Sequence, residues 1–516
     1  MPVINFVNKK SIDFLIKIVI SMIAIYILTL IHTNSIEYTG TYSVICLIIF
    51  VISVLGTSLM ILAVFKEIPL EKIFLLIATT FGILLMILLP IRVAPDEAVH
   101  TMTAYRVSDY LLGKNNLKDK VFEIRNEDLQ MFENPGELEF SGTKEVFVNY
   151  YEMAISPIKD TSTTEIGNDI SLSGNEIAYL FSAIGISAGR LLKFNAFWTL
   201  MLGRVCNLFV YLSLVYFSIK LIPNKKQLLL TIAVFPVTLQ QAMSYSYDSL
   251  ILSCSFFVIA MTFYYYFNGI KKIKNYKMIL FLTILCSLFL IFVKSHAYFM
   301  IGLFPVVALL KQKGYLTGKT LKNILKIIIY IILLYFITCF LDKFIGLHNY
   351  IFADTNENFF SVFWIVNHPY KVMTLLVNTV MKLSGFYYIT MINGPLGWVN
   401  LPIPTKILFV YSIVLLLCFF GRDRDAKIDC TLRLFMIIIF IVTFLGIEIG
   451  LMLTWTKMEY STVTGVQGRY FIPICFFLIS TFTINKKSLS YKVDYYANII
   501  IFCSLLMMVN TLLNRF

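Results

Sequence analysis

Long apolar runs separated by short polar loops dominate the hydrophobicity pattern of this chain. A membrane-spanning helix needs about 20 mostly apolar residues, and by that measure we predict about thirteen spans. They lie near 14–32, 42–65, 71–91, 196–219, 227–243, 248–268, 278–293, 296–310, 324–341, 405–420, 434–454, 470–484 and 494–513. Pro236 and the polar pair Gln240-Gln241 interrupt the run 227–268, which could therefore be divided differently. The predicted fold is an all-α integral membrane protein.

Two longer polar segments interrupt this pattern. The first, 92–194, is mixed and rather acidic, and the second covers roughly 343–404. Weakly amphipathic patterns near 101–112, 177–192 and 372–383 predict short helices on the membrane surface, and the first segment should also form a small soluble lobe. The predicted parts are N-terminal transmembrane helices (1–91), a long first outer loop (92–194), central transmembrane helices (195–342), a second outer segment (343–404) and C-terminal transmembrane helices (405–516).

Composition and charge support a membrane protein and give its orientation. The chain is 58% hydrophobic and only 14% charged, whereas soluble domains carry about a quarter charged residues. Lysine and arginine concentrate in alternate loops, as at Lys66 and Lys72, 271–277, and Lys486-Lys487. By the positive-inside rule these loops and the basic N-terminus are cytoplasmic, which puts both long polar segments outside. We therefore read the net charge of +13 as a signal of plasma-membrane topology and expect no nucleic-acid partner.

A pair of acidic residues follows the third predicted span. The stretch Pro95-Asp-Glu-Ala-Val-His100 comes directly after an apolar run that ends in Leu89-Pro90. His100 follows Glu97 by three positions, so both could share a helix face. Carboxylates at the edge of a membrane are costly unless they are solvated or functional. The simpler alternative is a solvated loop in which Asp96 caps the next helix.

Other unusual polar residues fall at the same predicted membrane face, although they come from distant parts of the chain. They are Arg190, Arg204, Tyr247, Asp248, Lys294, His296, Trp398, Gln467, Arg469 and Tyr470. Each has a structural alternative. Lys294 could extend along apolar surface to reach water, Arg204 could bond a carbonyl between helices, and Asp248 could cap a helix. His296 could be an ordinary structural histidine, and Trp398 an anchor at the membrane interface. Their coincidence at one face favours a functional site, because charges at membrane depth tend to mark substrate paths.

This combination of side chains predicts binding of a lipid phosphate. Arginine and lysine would hold the phosphate, and a carboxylate would accept the proton of an attacking hydroxyl. Asp96, Glu97 and His100 would also suit a hard cation such as Mg²⁺ or Mn²⁺, which prefer oxygen ligands. One Asp-Glu-x-x-His stretch does not by itself establish a metal site.

Several blocks resemble the bacterial multi-pass membrane proteins of domain-of-unknown-function family 2142, a relative of the GT-C glycosyltransferases. These blocks occur in family order from about 70 to 485 of the chain. They are Pro95-Asp-Glu-Ala-Val-His100 with Tyr105-Arg106, Leu202-Gly-Arg204 with Asn207, Phe235-Pro-Val-Thr-Leu-Gln-Gln-Ala-Met-Ser-Tyr-Ser-Tyr-Asp248, Gly394-Pro-Leu-Gly-Trp398, and Gly465-Val-Gln-Gly-Arg-Tyr-Phe-Ile-Pro473. The chain departs from the family at Lys294-Ser-His-Ala-Tyr298, which lacks the usual proline of a Lys-x-Pro-Tyr block.

The resemblance implies a GT-C-like bundle with the key acid at the start of a long first outer loop. It also implies a polyprenyl-phosphate sugar donor and inversion at the sugar carbon. Carried over, Asp96 would be the base or a metal ligand and Glu97 its partner.

The function predicted from the sequence is a cell-envelope glycosyltransferase. It would move a sugar from a polyprenyl-phosphate carrier to a cell-surface glycan, lipid or polymer on the outer face. Two alternatives are a flippase or transporter of lipid-linked saccharides, and a polymerase of such saccharides. A flippase would need no base and would favour inverted repeats and a site at the membrane midplane. A purely structural scaffold role is disfavoured, because a scaffold does not require arginine, lysine and carboxylates to collect at one membrane face.

Overall fold

The computed structural model describes residues 9–36, 40–114, 121–133, 144–157, 162–167, 176–317, 360–420, 428–482 and 492–515, with single residues between 318 and 337. The first three helices are α1 (Lys9–Ile36), α2 (Thr41–Phe65) and α3 (Leu70–Leu88). Helix α3 ends at Leu88, two residues before Pro90. Leu89 is extended, with φ −115° and ψ 98°, because the ring of Pro90 disfavours helical backbone at the residue before it.

The polar segment that follows folds into short helices and a two-stranded sheet. It contains α4 (Glu97–Leu111), β1 (Val121–Arg125), α5 (Asn126–Glu133), α6 (Lys144–Ile155), β2 (Thr163–Gly167) and α7 (Leu180–Leu191). The strands pair antiparallel, with Val121 opposite Gly167. A 3-10 turn, Glu176–Tyr179, leads into α7. Helices α4 and α7 cover the two amphipathic patterns of this segment.

The central helices surround the most enclosed part of the molecule. They are α8 (Ala196–Leu221), α9 (Lys226–Ala233), α10 (Pro236–Met243), α11 (Asp248–Asn268), α12 (Tyr276–Phe292) and α13 (Phe299–Gln312). The run 227–243, predicted as one span, is divided into α9 and α10. Pro236 takes the first position of α10, where a missing N–H costs nothing. Helix α11 is buried along most of its length and packs between α8 and α13.

The C-terminal part contains α14 (Val362–Asn367), α15 (Pro369–Ile392), α16 (Thr405–Phe420), α17 (Cys430–Thr454), α18 (Ile472–Phe482) and α19 (Lys492–Leu513). The amphipathic pattern 372–383 belongs to α15, a helix of 24 residues inside the predicted second outer segment. By length and composition α15 is itself a candidate span. The span predicted at 324–341 lies outside the continuously described residues.

The protein is an all-α membrane protein. Within the described residues, eight helices are long and apolar enough to cross a bilayer, and four shorter apolar helices accompany them. Many large apolar side chains of these helices are exposed, for example Leu47, Leu55, Phe209 and Met278. Exposed apolar stripes of this kind are unfavourable in water and favourable against lipid.

Candidate functional site

Asp96 lies in the turn between α3 and α4, in an unusual backbone conformation. Its φ of 59° is left-handed, which aspartate tolerates better than most residues but at a cost of about 1–3 kcal/mol. Asp96 occupies the cap position of α4, yet its side chain makes no capping hydrogen bond. The helix-cap alternative for this residue therefore fails, and the carboxylate is available for other contacts.

Glu97, the next residue, points into the protein and is bound to Arg204. Arg204 donates to both carboxylate oxygens at 2.9 and 2.6 Å, and neither side chain is exposed. Glu97 also accepts from the backbone N–H groups of Arg92, Ala94 and Tyr245. With every lone-pair direction engaged, Glu97 has no room for a substrate. The structure thus gives it a positioning role instead of the predicted catalytic one.

Arg204 completes this positioning by holding the turn before Asp96. Its guanidinium donates to the carbonyl oxygens of Leu89 at 2.6 Å and Pro90 at 2.9 Å. The prediction that Arg204 binds substrate is not supported, because its guanidinium already donates hydrogen bonds to Glu97, Leu89 and Pro90. The structural alternative, an arginine bonding carbonyl groups between helices, matches these contacts.

Four charged side chains from four separate elements form what we call the ion cluster: Asp96, Asp248, Lys294 and Arg469. The Arg469 Nη2 atom lies 3.3 Å from a carboxylate oxygen of Asp96, and its Nε atom lies 3.9 Å from Asp248. Lys294 Nζ lies 3.3 Å from Asp248. Asp248 pairs with these cations rather than capping α11, and Lys294 points at a carboxylate rather than out to water.

The members of the ion cluster differ sharply in exposure. The side chain of Asp96 is 52% exposed, whereas that of Arg469 is 6% exposed. Lys294 and Asp248 are 21% and 10% exposed. Asp96 therefore stands at the mouth of the cluster, with the two cations behind it.

Not all donors of Arg469 form hydrogen bonds within the described part of the chain, although its Nε atom faces Asp248 at 3.9 Å. Its Nε and Nη1 atoms are buried and make no hydrogen bond there, while Nη2 donates to Asp96 and to the hydroxyl of Tyr470. Buried unsatisfied donors are rare and costly, so each calls for a physical explanation. An anion bound beside Asp96 would satisfy them.

Close packing fixes the backbone that carries Arg469. Arg469 belongs to the 3-10 turn Gly468–Phe471, and the Gly468 N–H donates to the Thr390 hydroxyl of α15 at 2.9 Å. A Cβ on Gly468 would collide with the carbonyl oxygen of Tyr387. Only glycine permits this approach, which explains the glycine in the Gln-Gly-Arg-Tyr block.

Aromatic rings line the cluster. Lys294 Nζ lies 3.8 Å from the ring centre of Tyr470 and 5.2 Å from that of Tyr247. Such contacts help hold a partly desolvated ammonium group in place. The chain breaks at this point without a proline, because Lys294, Ser295 and His296 all adopt left-handed backbone.

His100 of α4 contacts two tyrosines, of which Tyr247 also lines the ion cluster. Its Nδ1 atom lies 2.8 Å from the hydroxyl of Tyr179, and its ring meets Tyr247 edge-on at 4.8 Å. Burial lowers the pKa of His100 to about 4, despite the nearby carboxylates of Asp248 and Asp96. The imidazole is therefore neutral near pH 7. Tyr179 was not predicted, since nothing distinguishes it from other tyrosines in the sequence.

Four predicted substrate-binding residues make their contacts with groups outside the ion cluster. Arg190 pairs with Asp109 at 2.7 Å in the polar segment. His296 is exposed and packs its ring against Phe292. Trp398 is 56% exposed, on a loop in which the Gly397 N–H donates a hydrogen bond to the Gln240 side chain. The backbone carbonyl of Gln467 accepts a hydrogen bond from the Tyr470 N–H.

The predicted metal ligands Asp96, Glu97 and His100 do not converge. Glu97 turns to Arg204, and no group of three histidine, cysteine or carboxylate side chains suited to a metal ion occurs among the described residues. The ion cluster also balances two carboxylates with two cations, so it offers little net charge to a divalent ion. The described side chains around Asp96 therefore do not fit Mg²⁺ or Mn²⁺.

The sequence model of a family described as predicted membrane protein (DUF2142) matches residues 79–478. The chain belongs to this family. The matched region contains every residue of the ion cluster and the Glu97–Arg204 pair, so the site lies within the DUF2142 region. No curated protein and no solved structure matches the chain.

Proposed function

We propose that this protein is a membrane glycosyltransferase of the GT-C type. It moves a sugar from a polyprenyl-phosphate carrier to a cell-surface glycan, lipid or polymer on the outer face of the plasma membrane. The observation that carries the proposal is the exposed carboxylate of Asp96 beside Arg469, whose buried donors are partly unused. A base next to an anion-binding guanidinium is what transfer from a lipid phosphate requires.

In the proposed reaction, an acceptor hydroxyl attacks the anomeric carbon of the donor sugar. Asp96 accepts the hydroxyl proton as the new carbon–oxygen bond forms. The bond between the anomeric carbon and the phosphate oxygen breaks, and the carrier leaves as a phosphate with one additional negative charge. Arg469 and Lys294 stabilise that charge, in a setting where burial strengthens their effect. Attack from the face opposite the phosphate inverts the sugar carbon.

Asp248 positions both cations in this scheme. It contacts Lys294 at 3.3 Å and Arg469 at 3.9 Å, so it holds them without capturing all their donors. A cation pair oriented before the substrate binds needs little reorganisation as charge develops.

The orientation of α11 supports an outer-face site. Asp248 begins α11 and Tyr266 lies near its other end, roughly 30 Å away along a helix of this length. At that far end Tyr266 bonds Asp429, and Lys311 pairs with Asp429. The basic loops 271–277 and 311–313 adjoin this far end, so the positive-inside rule supports an outer location for the ion cluster.

The test is a transfer assay with the purified full-length protein. Radiolabelled polyprenyl-phosphate hexoses are offered in detergent micelles together with envelope material from cells that lack the protein. The proposal expects label to move to the acceptor fraction with wild type and not with Asp96→Asn. Movement of intact lipid-linked sugar across proteoliposomes, with no label on an acceptor, would instead establish a flippase.

A further inference from the structure

A groove separate from the ion cluster lies between the start of α15 and the chain that follows α17. Its volume is about 350 Å³, and its lining includes Trp364, Tyr370, Thr374, Asn378, Tyr460 and Ser461. That volume lies within the roughly 300–1,000 Å³ of small-molecule sites. None of these residues belongs to the predicted site.

Helix α15 presents different faces to the groove and to the exterior. Lys371, Thr374 and Asn378 line the groove, at spacings of three and four that put them on one helix face. Val377 and Met381 are 54% and 77% exposed outside it, as expected of a lipid-facing stripe. The groove is thus a polar and aromatic surface beside the apolar exterior.

The lining suits a carbohydrate better than a lipid tail or a nucleotide. A sugar ring offers apolar C–H faces that stack on an exposed aromatic ring such as Tyr460, which is 44% exposed, and hydroxyls that pair with Asn378 and Thr374. An acyl chain would leave the Asn378 amide without a partner, whereas the Thr374 hydroxyl already donates to the Tyr370 carbonyl. Lys371 is the sole charged side chain among the described lining residues, which is too little for the several phosphates of a nucleotide.

The groove is joined to the ion cluster by one ordered segment. Ser461 accepts a hydrogen bond from Lys382 of α15, the Val463 N–H donates to Thr379, and the Gly468 N–H donates to Thr390. Arg469 follows directly. Thr379 lies near the groove and Thr390 lies near Arg469, and the two threonines are about 16 Å apart at the helical rise of 1.5 Å per residue. The groove is therefore separated from the reacting centre by a distance on the order of 16 Å or more.

We propose that this groove binds a saccharide unit of the acceptor, remote from the hydroxyl that attacks. That this saccharide is the acceptor substrate rests on the proposed function, whereas the binding of a saccharide in the groove does not. A multi-unit glycan could lie along the segment 461–468, with one unit held in the groove and its reactive end at Asp96. Binding energy gained there would raise specificity for extended acceptors.

Saturation-transfer NMR tests the binding directly. Full-length protein in detergent is mixed with chitotriose, maltotriose and mannotriose, and the groove variants Tyr460→Ala and Thr374→Val are compared with wild type. We expect saturation transfer to at least one trisaccharide and a loss of affinity of about tenfold in each variant. The matched control Tyr110→Ala removes a similarly exposed tyrosine, 48% against 44% for Tyr460, and should bind like wild type. Absence of transfer to all three sugars, or equal transfer in the groove variants, overturns the proposal.

Kinetics separate this inference from the proposed function. If both hold, Thr374→Val raises the acceptor KM and leaves the donor KM unchanged, while Asp96→Asn abolishes transfer but retains trisaccharide binding. Trisaccharide binding without any sugar transfer would contradict the proposed transferase activity but support saccharide binding in the groove. If the protein is an active transferase and both groove variants have a normal acceptor KM, the groove does not bind the acceptor, although the transferase proposal stands.

Discussion

The guanidinium of Arg469 lies 3.3 Å from the carboxylate of Asp96, although 373 positions separate the two residues in the chain. Asp96 is exposed and Arg469 is buried, so the pair reaches from the surface into the interior rather than forming an internal brace. The ordinary reason for a buried ion pair is mutual neutralisation, with all donors satisfied. Here the Nη1 atom of Arg469 makes no hydrogen bond within the described residues, which favours a further anionic partner beside Asp96 and Asp248.

Replacing Asp96 by asparagine should lower kcat for sugar transfer by about 10²–10⁴-fold, the usual contribution of a general base. Asparagine also tolerates left-handed backbone, so folding should survive. The transfer assay measures the loss, with thermal unfolding as the check on integrity. Glu123→Gln, which removes another exposed acid of the polar segment, serves as the control and should stay active. Near-normal transfer by Asp96→Asn would rule Asp96 out as the base.

Replacing Arg469 by lysine should raise the donor KM, because lysine keeps the charge but loses the paired donors that match a phosphate. Alanine should raise it further, by about tenfold or more. The acceptor KM in the same variants is the internal control and should change little. A parallel rise of both constants would argue that Arg469 shapes the site instead of binding the donor phosphate.

Breaking the Glu97–Arg204 pair should lower the free energy of unfolding without removing a group that touches the substrate. Loss of one partner leaves an uncompensated buried charge, which costs about 3–5 kcal/mol. Glu97→Gln and Arg204→Met should therefore lower the unfolding temperature, followed with a thiol-reactive dye that labels buried cysteines such as Cys254 and Cys475. The double variant should lose less stability than the two single losses combined, since the partners are coupled. Wild-type stability with abolished transfer in Glu97→Gln would instead restore the catalytic role for Glu97.

His100 should make folding stability fall in mild acid. Its pKa is about 4 in the folded protein because of burial, against 6.5 ordinarily. Between those values the unfolded chain binds the proton that the folded chain rejects, so stability decreases as pH falls from about 6.5 towards 4. Asp248 and Asp96 favour the charged form of His100 and Arg469 opposes it, and all three are unchanged in His100→Gln. That variant should show a flatter dependence of unfolding temperature on pH over this window. An unaltered slope would assign the acid sensitivity to other groups.

The sequence alone was sufficient for the membrane class, the family and the helix breaks at Pro90 and Pro236. Apolar runs of about 20 residues leave few alternatives to membrane helices. Proline marks where helices stop, as at Pro90 and Pro236, because its ring acts on the backbone locally. These are local effects, and a sequence records local effects well. The DUF2142 match covers the blocks that the resemblance rested on.

Only the tertiary structure separated Asp96 from Glu97. The two carboxylates are adjacent in sequence, and the left-handed backbone at Asp96 sends one towards Arg469 and the other towards Arg204. Hydrophobic periodicity cannot report this, because it gives the face of a helix but not the partner packed against that face. The same limit explains why Arg190 and Arg469 looked alike in sequence, while one pairs with Asp109 inside the polar segment and the other reaches the ion cluster.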